Sequence, residues 1–122
     1  MGAADAWGAP TLTSNVGLAQ GVLLEALVTI LLVFTIFGTA VSSNAPRAGG
    51  FGIGLAVSAD VLFGGPFTGI AMNPARAMGP MIASLSIPSH WYLYWIGPVV
   101  AAFIVGLFYG FLFENRSRDG DK

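Results

Sequence analysis

Cysteine is absent from this chain, and charged side chains are scarce, since Lys, Arg, Asp and Glu together make up 9% of its residues. The lack of cysteine excludes disulfides, thiolate metal sites and a cysteine nucleophile. An ordinary soluble domain has roughly 25% charged residues. Because 55% of this sequence is hydrophobic, the composition predicts an integral membrane protein rather than a water-soluble domain.

An excess of basic charge is also lacking: five Lys and Arg face six Asp and Glu, for a net charge of −1. Nucleic-acid binding needs a basic face, so no nucleic-acid partner is expected. The sequence has no glycine-rich phosphate loop, no metal-ligand cluster and no nucleophile with a base and an orienting group. We therefore predict neither a cofactor, nor a metal, nor an enzyme activity, and membrane lipid is the expected surrounding.

Long apolar runs, by contrast, are present. Residues 18–41, 51–67 and 91–113 are each read as a transmembrane helix, because about 20 apolar residues cross a bilayer core. Residues 69–85 are too short and too interrupted by Asn-Pro and Gly-Pro to cross, so they are read as a re-entrant segment whose backbone faces protein or water. The predicted fold is an all-α membrane protein with three transmembrane helices and one re-entrant half-helix.

Aromatic side chains gather at the start of the third span, where they are read as an interfacial belt. They are Trp91, Tyr92, Tyr94 and Trp95. Glycines at positions 50–54 and the pair Gly106 and Gly110 are read as sites of close helix contact.

The cations predict an orientation. Arg47 in the first loop and the three cations of the C-terminal segment, Arg116, Arg118 and Lys122, would share one side of the membrane. The positive-inside rule makes that side cytoplasmic. Residues 114–122 are then a cytoplasmic tail, residues 1–17 an extracellular or periplasmic connecting segment without the features of a cleaved signal, and the re-entrant segment enters from the outer face.

Asn73-Pro74-Ala75-Arg76 is the most informative stretch. Asn at an N-cap and Pro at the first helical position start a helix efficiently, which predicts a half-helix whose positive dipole end lies inside the membrane. Asn73 would accept backbone N–H groups with its side-chain oxygen and offer its amide to a passing solute. The alternative is a cap on a surface loop.

Two further charges lie in this apolar setting. The guanidinium of Arg76, one turn along the half-helix, would narrow a pore and repel cations; the alternative is an arginine that reaches lipid phosphates. Glu25 in the first span is predicted to bind backbone groups of the re-entrant segment rather than to perform acid-base chemistry. If residues 69–72 are extended, Gly69, Ile70, Ala71 and Met72 would present a row of carbonyl acceptors.

Asp60 in the second span has three readings that the sequence leaves open. In order of preference, it is a buried partner for loop backbone groups, a residue of a pore wall, or a carboxylate in a proton relay.

Residues 65–80, GPFTGIAMNPARAMGP, resemble the second signature loop of the aquaporins, also called major intrinsic proteins. Glu25 resembles the glutamate of the family's fourth helix, and His90-Trp91 through Pro98 resembles the start of its sixth. The resemblance covers residues 15–113. It implies half of an inverted-repeat bundle, with residues 18–113 as the second repeat and only one of the two Asn-Pro-Ala half-helices.

One half cannot close a six-helix pore, so the resemblance implies a partner, either the N-terminal half or another copy of the chain, and homotetramers of complete pores. We expect a fragment or a truncated gene product rather than a genuine half-protein.

The resemblance also implies roles for individual residues. Arg76 matches the selectivity-filter arginine, Val61 the filter position of the fifth helix, and Ile70 the loop filter position, with its carbonyl and side chain; Asn73 donates at the pore centre. Gly69, Ala71 and Met72 line the pore with backbone, and Pro74, Ala75 and Glu25 support it. Water-strict members usually have histidine where this chain has Val61, which implies a wider, less polar constriction.

The predicted function is passive transport of water, with other small neutral solutes second. Two other classes of function remain open on the sequence. The first is a non-conducting scaffold or partner subunit derived from a truncated channel, and the second, ranked last, is a proton-coupled transporter that uses Asp60 and Glu25.

Overall fold

A computed structural model describes residues 7–42, 45 and 49–111. Within these residues every regular element is helical. Helix α1 covers Leu18–Ile36 and continues through a π-helical turn, Phe37–Val41; α2 covers Gly49–Thr68, α3 Pro74–Ala83 and α4 Leu93–Tyr109. The all-α prediction is confirmed for this part of the chain.

Two helices of the described residues are long and apolar enough to cross a membrane: Leu18–Val41, with 24 residues, and Gly49–Thr68, with 20. Helix α4 is shorter, with 17 residues, which corresponds to about 26 Å at 1.5 Å per residue. The last two residues of the predicted third span, 112–113, lie outside the described residues. So do Arg47 and the cations of the tail, on which the predicted orientation depends.

Helices α1 and α4 pack most closely at Gly97, which is buried. A Cβ atom added to Gly97 would lie 2.7 Å from the backbone oxygen of Val22 and 2.9 Å from the Cβ of Glu25. Gly106 makes no such contact with the described residues, because a Cβ added there would meet nothing within 4 Å. A four-residue glycine spacing permits close approach, but the side chains around it decide where two helices meet.

The stretch predicted to be re-entrant consists of an irregular segment, residues 69–73, followed by the ten-residue helix α3 and a turn. Helix α3 packs on the start of α4 through Ala77, Met81, Leu93 and Tyr94, all of which are fully buried. Tyr94 is therefore not part of an interfacial belt, and the prediction for this residue is wrong. Its ring faces the interior because position 94 lies on the side of α4 that covers the irregular segment.

Candidate functional site

The irregular segment before α3 has an unusual backbone. Gly69, Ile70 and Met72 have positive φ angles of 73°, 43° and 57°. This left-handed region is comfortable for glycine but costs other residues of order 1–3 kcal/mol each, and a β-branched residue such as Ile is rare there. Surrounding interactions must therefore hold the segment in place.

Glu25 supplies the main interaction. Its side chain is fully buried; Oε2 accepts the N–H of Met72 at 2.9 Å, and Oε1 accepts the N–H of Ala71 at 3.1 Å. Two successive backbone N–H groups that converge on one anion form a small nest, and such charge-assisted hydrogen bonds are stronger than neutral ones. The predicted structural role of Glu25, binding backbone groups of the re-entrant segment, is confirmed.

Two hydroxyl groups that sequence reasoning missed complete this network. Thr68 Oγ1 donates to Glu25 Oε1 at 2.8 Å, and the buried Tyr94 hydroxyl donates to the carbonyl of Thr68 at 2.7 Å. The only available signal was that each places a polar group in an apolar surrounding, where a buried hydroxyl needs a partner. The segment is thus connected to α1, α2 and α4 at once.

The direction of the N–H groups fixes the direction of the carbonyls. In a trans peptide unit the C=O lies opposite to the N–H, so the carbonyls of Ile70 and Ala71 point away from Glu25. The structure buries Ile70 completely and leaves Ala71 only 2% exposed, while Met72 is 9% exposed. The side chain of Ile70 packs beside Val28 and Met72, so a place for Ile70 and Ala71 in a pore wall stays a prediction.

Asn73 marks the start of α3 as the sequence predicts. Its backbone is extended, with φ −154° and ψ 124°, Pro74 follows at the first helical position, and Asn73 Oδ1 accepts the N–H of Ala75 at 2.8 Å. This hydrogen bond identifies the oxygen, so the amide Nδ2 with its two donors occupies the other position. Asn73 is exposed, and a donor group thus projects from the positive end of the helix.

Arg76 lies one turn further along α3 and is exposed. Its Nη1 donates to the carbonyl oxygen of Gly8 at 3.4 Å, a long hydrogen bond to the segment that precedes α1. The guanidinium keeps further donors that could face a solute. Asn73 and Arg76 therefore both lie at the first turn of α3, and Gly8, from the segment before α1, lies beside the arginine.

Asn73 lines a groove of about 250 Å³. Its walls are apolar side chains of α1 and α4, together with the start of α3. The lining residues are Thr29, Leu32, Val33, Ile36, Met72, Asn73, Pro74, Pro98, Val99 and Ala102. Asn73 has the strongest hydrogen-bonding side chain among these lining residues, so the groove offers one polar anchor and little else to replace an ion's hydration.

Two neighbouring residues of α2, Asp60 and Val61, differ sharply in exposure. Val61 is 43% exposed, whereas the preceding Asp60 is 2% exposed, and its Oδ2 has no hydrogen-bond partner among the described residues. The preferred reading of Asp60, a partner for loop backbone groups, is therefore wrong for this oxygen. No group of three or more His, Asp or Glu side chains that could hold a metal occurs in the part of the chain that the structure describes.

Comparison with known proteins shows which family this sequence resembles. The family described as major intrinsic protein matches residues 3–109. Aquaporin TIP2-1 of Arabidopsis thaliana is 38% identical over 114 residues, which cover 88% of this chain and 44% of that protein. Aquaporin TIP4-4 of Zea mays is 44% identical over 107 residues, 84% of this chain and 41% of that protein.

The chain thus spans less than half the length of these relatives. With two helices able to cross a bilayer and this degree of likeness, it is an integral membrane protein. The match extends over the Glu25 network, the Asn73 cap and Arg76, since all of them lie within residues 3–109. The chain belongs to the major intrinsic protein family.

Proposed function

We propose that this chain forms half of a passive channel for water, and secondarily for other small neutral solutes. The observation that carries the proposal is the exposed amide of Asn73, which projects from the positive end of α3 and lines an apolar groove. A single polar anchor on an apolar wall lets a neutral molecule exchange hydrogen bonds as it passes, whereas an ion loses hydration that the wall cannot replace.

The same arrangement opposes cations. The dipole of α3 places partial positive charge at Asn73, and Arg76 adds a full positive charge one turn away. In this proposal Arg76 and Val61 line the narrowest part, Pro74 and Ala75 shape the helix start, and Glu25 holds the irregular segment. The exposed, uncharged side chain of Val61 leaves room that a larger polar residue would fill, which favours small neutral solutes beside water.

A complete pore needs more than these helices, because the groove at Asn73 is open on one side. We propose that the N-terminal half of a full-length channel, or another copy of this chain, covers the groove, and that complete pores assemble as homotetramers with a cytoplasmic C-terminus. The relatives, more than twice as long as the matched segment, support a partner of similar size.

Reconstitution into lipid vesicles tests this function. The chain combined with a complementary half should raise osmotic swelling above that of empty vesicles, and Arg76→Ala should admit urea or glycerol while water flux persists. Ser84→Ala, which alters another residue close to α3, serves as the matched control and should leave selectivity unchanged. Absence of swelling from an assembled complex would instead favour a non-conducting partner subunit. Unchanged selectivity in Arg76→Ala would remove this residue from the filter.

A further inference from the structure

The segment before α1, residues 7–17, is held against the bundle at several points. Thr13 N–H donates to the carbonyl of Phe67 at 2.9 Å, and Thr13 Oγ1 donates to the carbonyl of Pro66 at 2.7 Å. Pro10 is buried and lies against Gly69, where an added Cβ would come within 2.8 Å of the Pro10 Cα. These contacts fix the segment to the end of α2 and to the irregular segment, and Ala9 and Leu12 pack against the cluster that includes Leu93 and Tyr94 of α4.

His90, which precedes α4, forms a further hydrogen bond with this segment. The backbone N–H of Leu12 donates to Nε2 of His90 at 3.2 Å. Only an unprotonated ring nitrogen can accept, so the bond requires the neutral ring with its proton on Nδ1. Protonation would turn Nε2 into a donor that faces another donor, and the hydrogen bond would be lost.

We propose that His90 is a pH-sensitive positioning residue, whose neutral ring holds residues 7–17 and thereby places the Gly8 carbonyl against Arg76. The proposal rests on the proposed channel function, because Arg76 acts there as the selectivity residue. Gly8 is four residues from Leu12, and the hydrogen bond at Leu12 adds to the packing of Ala9 and the burial of Pro10 in limiting where Gly8 lies. When His90 is protonated, the Arg76 side chain loses a fixed partner and the constriction becomes less selective.

The surroundings of the ring allow protonation to act in this way. Residues 7–17 contain no charged side chain, and the uncharged Tyr92 and Tyr94 lie before and within α4. The charged side chain of α3 is Arg76, and the Glu25 carboxylate of α1 accepts from Thr68, Ala71 and Met72. The rings of His90 and Tyr94 are 6.5 Å apart and tilted. No carboxylate among these groups is placed to stabilise an imidazolium, and burial lowers the pKa of His90 from its ordinary value of 6.5.

Because the pKa of His90 is lowered, the hydrogen bond stabilises the fold at neutral pH and not in acid. A histidine whose folded-state pKa is lowered favours the deprotonated form in the fold, so its contribution is fully present above pH 6.5, the unfolded value. The contribution is lost as the pH falls below that value and through the folded-state pKa. The tether should therefore be intact at neutral pH and open in acid.

Hydrogen exchange tests the tether in the full chain without any need for conduction. In micelles, protection of the Leu12 amide, corrected for the intrinsic exchange rate, should fall by up to tenfold for each pH unit between 6.5 and the folded-state pKa, and should level off below that pKa. Since His90 is the only histidine, its ring resonances can be titrated without ambiguity in the unmodified protein. The pH curve of Leu12 protection and the titration curve of the His90 ring should have the same midpoint, at a pH below 6.5. Different midpoints would overturn the proposal.

Two variants separate titration from structure. His90→Gln keeps an acceptor close to the position of Nε2 but cannot titrate, so it should retain Leu12 protection at pH 5 and pH 7.5 alike. His90→Phe fills the space without an acceptor and should lack that protection at both values. An acid-induced loss in His90→Gln equal to that of the unmodified chain would contradict the assignment, as would full protection in His90→Phe at pH 7.5.

Flux through the assembled pore tests the functional consequence. The ratio of water to urea permeability should fall several-fold between pH 7.5 and pH 5, and should stay constant in His90→Gln. A constant ratio in the unmodified pore, with an exchange curve that does change, would overturn the link to Arg76. No flux at any pH would refute the proposed channel function, while the exchange experiment would still decide whether His90 holds the segment.

Discussion

At the scale of single residues, Glu25 makes the hydrogen bonds that fix the backbone of the irregular segment. A buried carboxylate is costly unless it is hydrogen-bonded, and this one accepts from Thr68, Ala71 and Met72. It compensates for left-handed backbone angles at two non-glycine residues, Ile70 and Met72. The same interactions that satisfy the acid therefore determine the path of the chain toward Asn73.

Glu25→Gln should destabilise the fold by about 1–3 kcal/mol, because the new NH₂ group faces a backbone donor and leaves it unsatisfied. The free energy of unfolding in detergent, followed by circular dichroism, measures the loss, and hydrogen exchange should rise at Ala71 and Met72. Leu27→Ala is the control on the same helix: Leu27 is 54% exposed, so its truncation should change stability by less than about 0.5 kcal/mol. Equal losses in both variants would contradict this role for the carboxylate.

Sequence reasoning identified some of these residues and missed others for physical reasons. Glu25 and Asn73 are conspicuous because strongly polar groups in apolar runs require an explanation. Thr68 and Tyr94 are not, since hydroxyls are common in apolar helices and can bond locally. The hydrogen bonds from Arg76 to Gly8 and from Leu12 to His90 join residues separated by 68 and 78 positions, which no local pattern reveals.

At the scale of elements, the packing of α1 on α4 depends on one glycine. Gly97→Ala would place a methyl group 2.7 Å from the Val22 oxygen, a rigid backbone atom that cannot move aside easily. Overpacking of this kind typically costs about 1–3 kcal/mol. We expect a lower free energy of unfolding in detergent and a weaker Glu25 network, because Glu25 lies at the same contact.

Gly106→Ala is the matched control on the same helix. Since nothing lies within 4 Å of an added Cβ at Gly106, the substitution should stabilise α4 by up to about 1 kcal/mol through helix propensity. Opposite signs for the two glycine substitutions are the expected result. A loss of stability at Gly106 similar to that at Gly97 would show that propensity or lipid contact, rather than the α1 contact, governs both sites.

The apolar runs predicted where helices occur, and the ends of the first two helices differ from the predicted bounds by at most two residues. Residues 18–41 form one continuous helical stretch, because nothing in that run interrupts it. The second helix begins at Gly49 and ends at Thr68, and Gly64, Gly65 and Pro66 lie within it instead of ending it. Breakers inside an apolar run mark a helix end only where tertiary contacts do not compensate for them.

At the scale of the whole molecule, the described helices leave many large apolar side chains exposed. Exposed side chains of α4 include Val99, Val100 and Phe103, and the groove at Asn73 lies beside the first of these. Lipid can cover an apolar helix face, but it cannot satisfy the Asn73 amide donor in the groove. This difference favours a protein partner at the groove and lipid elsewhere.

Two tryptophan substitutions on α4 distinguish these surfaces. Ala102 lines the groove and Val100 does not, and two residues along a helix are separated by about 200° around its axis. Ala102→Trp should fill the groove, prevent copurification with a complementary half and abolish osmotic swelling. Val100→Trp should leave both unchanged, since a lipid-facing position accepts a larger apolar side chain. If both variants assemble equally well, the groove is not where the partner binds, and the second half must cover another face of α4.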